Sequence, residues 1–321
     1  MRTLEKREKA ARALPARPAG RTATGPDPRK RARRTQRLWA TLFASPYLVH
    51  LVALTAWPIA ALVYFSFTDY DAVSSPSWVG LDNFQRLLHD DLFWSSMWHT
   101  VYFTLLYVPA QTAVALLLAV ALNQRLRGLT FFRASFFIPV ISSWVVVAYV
   151  ADSVFNPQFG IANTVLGWVG LPAQGWLESP SLVIPTLAMV AVWKGAGYMM
   201  VLFLAGLQTI PQERYEAARV DGASAWQRMR YVTLPGVSAT TFLVLVLSTI
   251  TSLQAFEQIY AMTNGGDPNR ASELTVNYMY RQGFEFFHMG YASAIACVLF
   301  IFIFALTLVQ LRLQKKWVHY A

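Results

Sequence analysis

The chain has 321 residues, of which 55% are apolar and 14% aromatic while only 14% are charged, a composition too hydrophobic for an ordinary soluble domain. Its net charge is +10, yet 13 of the 27 Lys and Arg lie before Leu38, so the rest is nearly neutral and the membrane class comes first. The single cysteine, Cys297, stands in an apolar run and excludes an internal disulfide or a cysteine-based metal site.

Residues 1–37 hold a dense basic run (Arg29, Lys30, Arg31, Arg33, Arg34, Arg37), are dotted with prolines and have no apolar period, which predicts a disordered basic cytoplasmic tail. The long apolar run after it does not resemble a cleavable secretory signal. A topology anchor beside anionic lipid suits the tail better than a nucleic-acid-binding arm.

From residue 38 to 321 the pattern is that of a transmembrane domain. Six apolar stretches, near 38–67, 97–122, 131–151, 182–207, 240–263 and 289–311, are each long enough to cross about 30 Å of hydrocarbon. Hydrocarbon leaves free backbone groups unsatisfied, so helix is the expected form, and the fold class is an all-α polytopic membrane protein with six transmembrane helices. Positive charge alternates between the connections. The loop 68–96 has only Arg86, segment 123–133 has Arg125, Arg127 and Arg133, and loop 152–181 has none. Segment 208–239 then carries Arg214, Arg219, Arg228 and Arg230, the loop 264–288 has Arg270 and Arg281, and the end carries Arg312, Lys315 and Lys316. This bias puts both N and C termini in the cytoplasm. Trp57, Trp78, Trp94, Trp98, Trp168 and Trp176 fall toward the predicted outer side, as an interfacial belt or as loop packing.

No catalytic motif is present. The histidines His50, His89, His99, His288 and His319 have no metal spacing, and no lysine follows a glycine, which rules out a P-loop. The run Asn264 to Pro268 reads as a turn rather than a phosphate cradle.

Between the fourth and fifth stretches lies a charged island, 207–235, dense in helix signals. Thr209 and Gln212 stand at capping-box spacing, Ala217 and Ala218 favour helix, and Asp221-Gly222 supplies a sharp turn. Ser224 and Gln227 repeat the capping spacing, Trp226, Met229 and Val232 form an apolar stripe, and Leu234-Pro235 closes a second short helix. Two capped helices joined at a glycine predict a compact cytoplasmic knob; an alternative lays its stripe on the bilayer interface.

Inside the spans, Lys194 and Glu257 each cost about 2.5–3.5 kcal/mol on insertion scales and require partners or water. Thr251, Gln254, Glu257 and Gln258 share one helical side, and with Lys194 and Tyr198 they are candidates for lining a solute path. Equally, these residues could glue helices together, or Lys194 and Glu257 could pair. Amides and carboxylates beside Trp193 and Tyr198 suit a neutral, hydroxyl-rich solute.

The string Glu216-Ala217-Ala218, Asp221-Gly222-Ala223 and Thr233-Leu234-Pro235 resembles the EAA loop of ABC importer permeases, and it precedes the penultimate span as that loop does. Phe65 to Tyr70, the segment Trp78-Val79-Gly80-Leu81-Asp82-Asn83-Phe84, Gly206 to Pro211 and Gly290-Tyr291-Ala292-Ser293-Ala294 look like the carbohydrate-importer branch, in particular its maltose-type or glycerol-phosphate-type first permease. The first outer loop is short, without the large insertion of the enteric maltose permease, and the basic tail is longer than the family needs.

The resemblance implies a type I ABC importer permease fold in a bacterial cytoplasmic membrane. It implies partners as well: a second homologous permease, an ABC ATPase dimer, an extracytoplasmic solute-binding protein and a carbohydrate-like substrate, with no nucleic acid. Glu216, Ala217, Ala218, Asp221, Gly222, Ala223, Leu234 and Pro235 would form the ATPase-coupling loop. ATP and Mg would sit on the partner, so this chain would bind no cofactor and no metal. A stand-alone secondary transporter, which predicts repeated halves and broken helices, and a non-transporting membrane scaffold are the competing readings.

Overall fold

The computed structural model of the protein describes residues 28–124 and 128–318. Arg125, Arg127 and His319 lie outside them, as does the tail through Asp27. The chain divides into two compact units between Pro58 and Ile59.

The first helix, α1 (Pro28–Leu51), starts inside the segment expected to be a disordered tail. Arg, Lys, Ala and Gln are good helix formers, and proline is at home in a first turn, so 28–37 propagates helix without needing an apolar period. A π-helical turn (Val52–Ala56) leads into α2 (Trp57–Phe65). The wide turn, in which the Trp57 amide donates to the Val52 carbonyl, immediately precedes Pro58. A proline has no amide for the helix ladder and crowds the preceding turn, which a π turn relieves.

After α2 a short ribbon pairs β1 (Thr68–Asp69) with β2 (Ser77–Trp78) antiparallel. Then follow α3 (Asp82–Leu88), the long α4 (Asp91–Leu122), α5 (Leu129–Ile141), α6 (Trp144–Phe155) and α7 (Ile161–Trp168). The second half holds α8 (Val183–Gln208), α9 (Gln212–Val220), α10 (Ala225–Arg228), α11 (Ser238–Leu253), α12 (Glu257–Thr263), α13 (Thr275–Tyr280) and α14 (Met289–Trp317).

Among the described residues four helices are long and apolar enough to cross a membrane: Trp39–Phe65, Asp91–Leu122, Val183–Gln208 and Met289–Lys315. The count reaches six if each of two bent pairs is one span. Thus the third stretch is not the single rod its sequence predicts. It breaks between α5 and α6 with a bend of 103°. Ser142 and Ser143 are extended there, and the Ser143 hydroxyl accepts from the Val146 amide, so α6 begins with its own cap. The fifth stretch, expected to run through 263, ends at Leu253 and restarts at Glu257.

Hydrocarbon gives helices no hydrophobic reason to associate, so contact must come from close packing and polar bonds. The most extensive contact, α4 on α8, uses small residues on both sides: Ala115 and Ala119 of α4 pack in one cluster with Met199, Met200 and Phe203, and Ala188 and Ala191 of α8 in another with Phe103 and Tyr107. Thr100 and Thr275 join hydroxyls at 3.0 Å, and Gln310 donates to Thr249 at 2.9 Å, tying α4 to α13 and α11 to α14.

The motifs quoted from distant parts of the sequence meet in space. The Asn83 amide donates to the Ser66 and Thr68 carbonyls at 3.1 and 2.9 Å, and the Gly290 amide donates to Tyr70 at 3.1 Å. A Cβ on Gly290 would stand 2.0 Å from the Thr68 carbonyl oxygen, so only glycine lets α14 approach the ribbon this closely. Of the six tryptophans, Trp176 donates to Asn163 within a loop, whereas the other five are exposed. At the run Asn264 to Pro268 the amides of Gly265, Gly266 and Asp267 all reach back to α12 carbonyls, which makes it a helix-terminating turn.

Asp90 locks the start of α4. Its carboxylate accepts from the Leu92 and Phe93 amides and from the hydroxyls of Tyr278 and Tyr291, while Arg86 lies 4.2 Å over the Tyr291 ring. Burial pushes the Asp90 carboxyl up, but the two hydroxyls and two amides outweigh it and hold it below the usual carboxylate value. Nearby, burial pushes Glu273 up, with Arg281 at 3.3 Å and Arg270 at 4.0 Å pulling the other way. A carboxyl with a lowered native pKa adds stability above its unfolded value that is lost as pH falls through the native one. Asp90→Asn is therefore expected to melt below wild type at neutral pH, with the gap narrowing below about pH 4; a gap of constant size from pH 7 to 3 would contradict this.

Candidate functional site

The break between α11 and α12 leaves Gln254 at a helix end and Glu257 in the first turn of the next helix, so the four residues read as one helical side are divided between two elements. The Phe256 carbonyl accepts from the Tyr260 amide at 3.0 Å and from the Asn277 side-chain amide at 3.4 Å, and its ring stacks on Tyr260 and tilts against Tyr280. Despite the break, Thr251, Gln254, Glu257 and Gln258 line one cleft of about 610 Å³, together with Lys194 and Tyr198 of α8. The six candidates chosen from sequence are thus brought together.

The sequence missed the rest of the wall. Phe103 and Tyr107 of α4, Trp144 of α6 and Phe256 supply aromatic faces, and Val140 contributes the end of α5. Trp144 belongs to the span whose break was unforeseen. Phe103 and Tyr107 sit in an otherwise apolar helix; the one legible hint was the polar Tyr107 hydroxyl and Gln111 amide four residues apart, on the same face.

Lys194 and Glu257 do not pair: among the described residues the ion pairs are those of Glu273 and Glu285 with arginines. Instead the Lys194 ammonium donates to the Val140 carbonyl at 3.1 Å and lies 5.0 Å from the Trp144 ring centroid. Val140 is in the last turn of α5, where carbonyls lack intrahelical partners and the helix end carries partial negative charge, so the lysine caps the break. Two turns of geometry around Lys194 complete the seat. A Cβ on Gly195 would stand 3.1 Å from both the Tyr107 hydroxyl and the Gln111 side-chain oxygen, and one on Gly197 would stand 2.1 Å from the Phe136 carbonyl oxygen. The glycines therefore let α4 and α5 press against α8.

The knob forms, with three corrections. The Thr209 hydroxyl donates back to Gly206 at 2.8 Å, so it closes α8 instead of capping α9, which starts after Pro211 without a side-chain cap. Ser224 and Gln227 do make the reciprocal capping box. Leu234-Pro235 does not end the second helix. A π turn (Met229–Thr233) carries it past the proline to Gly236, the same spacing as before Pro58, and the 68° bend comes after Gly236. The wide turn also shifts the helical phase, so Trp226 is exposed while Val232 packs on the core.

At the joint, the Ala223 amide donates to Ala218 at 2.9 Å and the Gly222 amide to Arg219 at 3.0 Å, a Schellman closure with Gly222 at φ +76°. A Cβ at Gly222 meets nothing within 4 Å, so the glycine serves the backbone turn and leaves open space outside it. Tyr215 reaches Thr233 at 3.1 Å and packs with Ile210 against Phe203 and Val237, fixing the knob to α8 and α11. Glu216, Ala217, Asp221 and Gly222 are exposed, beside Val220, Trp226 and Tyr231, each more than 70% exposed, a polar and apolar surface typical of a docking face. Ala218, Ala223, Leu234 and Pro235 are half-buried beneath it.

Residues 92–319 match the family of binding-protein-dependent transport system inner membrane components. The chain belongs to that family. This permease is 35% identical to the probable ABC transporter permease protein YesP of Bacillus subtilis over 93% of its own length and 98% of the relative's. It is 33% identical to the sulfoquinovosyl glycerol transport system permease protein SmoG of Agrobacterium fabrum, over 87% and 91%. A chain of a bacterial ABC transporter that imports the acidic polysaccharide alginate shares the fold, with TM-score 0.77, 24% identity and coverage of 89% and 98%.

The chain is therefore a multi-pass transmembrane permease subunit of an ABC importer, a non-catalytic component that works with an ATPase partner. The match, and not an absence of broken helices, decides against a stand-alone transporter: α5–α6 and α11–α12 are both broken. Among the described residues no group of three His, Cys, Asp or Glu could hold a metal ion. Gly197→Val is expected to drive a side chain into the Phe136 carbonyl and to lower the unfolding free energy by about 1–3 kcal/mol, read by denaturation of the permease in mixed detergent micelles; wild-type stability would mean that α5 does not press on α8 there.

Proposed function

We propose that this permease carries a sugar or sugar-like solute through the cleft between α4, α6, α8, α11 and α12, and takes its driving force through the knob at 207–235. The observation that carries the proposal is the lining of the cleft. Trp144 and Phe256 offer flat apolar faces of the kind that cover a sugar ring, while Gln254, Glu257, Gln258, Thr251, Tyr198 and Lys194 offer donors and acceptors for hydroxyls. The relatives' names agree: a sulfoquinovosyl glycerol permease, an arabinooligosaccharide permease and an alginate importer are among the proteins that resemble it. The cleft is open on one side, and the second, homologous permease is the element that closes it. An extracytoplasmic binding protein delivers the solute, and both termini lie in the cytoplasm with the knob.

On the knob, Glu216 accepts charge-assisted hydrogen bonds from the ATPase dimer, Asp221 and the exposed Val220, Trp226 and Tyr231 complete the docking face, and the Gly222 turn sets the angle between the two helices. Ala217, Ala218, Ala223, Leu234 and Pro235 keep that face small and rigid. Purification from native membranes under mild detergent is expected to recover a P-loop ATPase and a second permease; recovery of neither would reject the assignment. Glu216→Lys or Gly222→Trp is expected to leave the protein inserted while reducing sugar uptake at least about tenfold, the loss of one charge-assisted contact. Gln254→Ala and Glu257→Ala are expected to reduce uptake and substrate-stimulated ATP hydrolysis without loss of the complex. Unaltered transport in both would remove them from the path.

A further inference from the structure

Behind the cleft wall formed by Tyr107 and Gly195 lies a polar group for which the fold provides no partner. Gln111, one turn beyond Tyr107 on α4, is 0% exposed, and neither its side-chain oxygen nor its nitrogen makes a hydrogen bond. An amide carries two donors and an acceptor, and burying it unsatisfied costs several kcal/mol on transfer scales. Its surroundings offer no compensation: Ala115 and Val108 on the same helix are buried and apolar. An alanine, valine or leucine at 111 would serve packing better than a glutamine that bonds to nothing.

Gln111 does not itself line the cleft, but it stands directly behind a residue that does. Its oxygen and the Tyr107 hydroxyl converge on Gly195, each 3.1 Å from the position a Cβ would take, and both Gly195 and Tyr107 line the cleft. A side chain at 195 would crowd both groups, whereas glycine leaves only backbone between them and the cleft. Buried polar atoms in native proteins are nearly always partnered, and each exception calls for an explanation such as a functional role or a bound water.

We propose that Gln111 is a specificity-determining residue of the transport cleft, which together with the Tyr107 hydroxyl reads one hydroxyl of the passing solute across Gly195. The inference rests on the sugar-cleft reading above and deepens it. A site that offers an amide with no other partner rejects an analogue lacking the matching hydroxyl, because the amide then stays unpaired. A solute that supplies the hydroxyl relieves it.

The test uses the assembled importer in whole cells. The probe is whichever of glucose, arabinose, maltose and raffinose the wild type takes up fastest, compared with the monodeoxy analogues of that sugar. Discrimination by the binding protein is common to all variants and cancels when they are compared. Gln111→Leu, nearly the same size, is expected to reduce the parent-to-deoxy uptake ratio about tenfold for one analogue, the worth of one hydrogen bond of about 1.4 kcal/mol. The melting temperature of the purified complex should be unchanged or raised. Gly195→Ala should act in the same direction, since its methyl crowds both groups.

Ratios unchanged within about twofold for every analogue would overturn the proposal, and a lowered melting temperature beside them would assign Gln111 to a buried structural water. If Gln254→Ala alters a ratio while Gln111→Leu does not, the cleft reading stands and this inference falls. Unchanged ratios in both variants, or uptake of none of the panel by wild type, would take down the sugar-cleft reading itself.

Discussion

Four consecutive residues of α8, Lys194 to Gly197, hold the centre of the molecule. In hydrocarbon a broken helix is tolerated only if its freed backbone groups find protein partners. Lys194 supplies one for the end of α5, and Trp144 at the start of α6 faces the same ammonium. Gly197 and Gly195 let the backbone of α5 and the side chains of α4 come close enough for van der Waals contact to act where no hydrophobic force does. A side chain at 197 would push back the backbone of α5, and one at 195 would crowd Tyr107 and Gln111 of α4. The break, the lysine and the glycines thus form one solution to one constraint.

The same constraint explains where the polar residues went. A charge in a span needs compensation, and the sequence suggested that Lys194 and Glu257 compensate each other. The fold separates the two tasks. Lysine is satisfied by a carbonyl and a ring, which leaves Glu257 and Gln254 exposed at the cleft. On the predicted outer side, carboxylates are managed differently: Asp90 is neutralised by hydroxyls and amides, and Glu273 by arginines. Those contacts join α4, α13 and α14 into a cap over one end of the bundle.

Much of this was written in residue patterns that report local physics. Apolar length found four spans outright and two more only as bent pairs, the Ser224 and Gln227 spacing found a helix start, and Asp221-Gly222 found a turn that proved to be a Schellman closure. Local patterns failed where a remote group decided. Thr209 has the right spacing for a cap, but its hydroxyl is taken by Gly206 behind it. Pro235 should end a helix, yet a π turn absorbs it, and nothing in the five residues before it announces a wide turn. The break at 254–256 hides in an amphipathic run because its stabilisers, Asn277 and Tyr280, come more than twenty positions later. Gln111 is set apart by its burial, which no local pattern reports.

Cys297 has a practical consequence. It is the chain's one thiol and is buried within α14. The native background is therefore close to silent toward aqueous maleimide reagents, and no cysteine-free parent has to be built before probes are attached. A fluorophore or spin label at exposed Tyr231 on the knob, combined with one at Gln254 in the cleft, would report the separation of the two functional regions through a transport cycle. The sparing use of cysteine makes the permease a ready chassis for distance measurements in lipid.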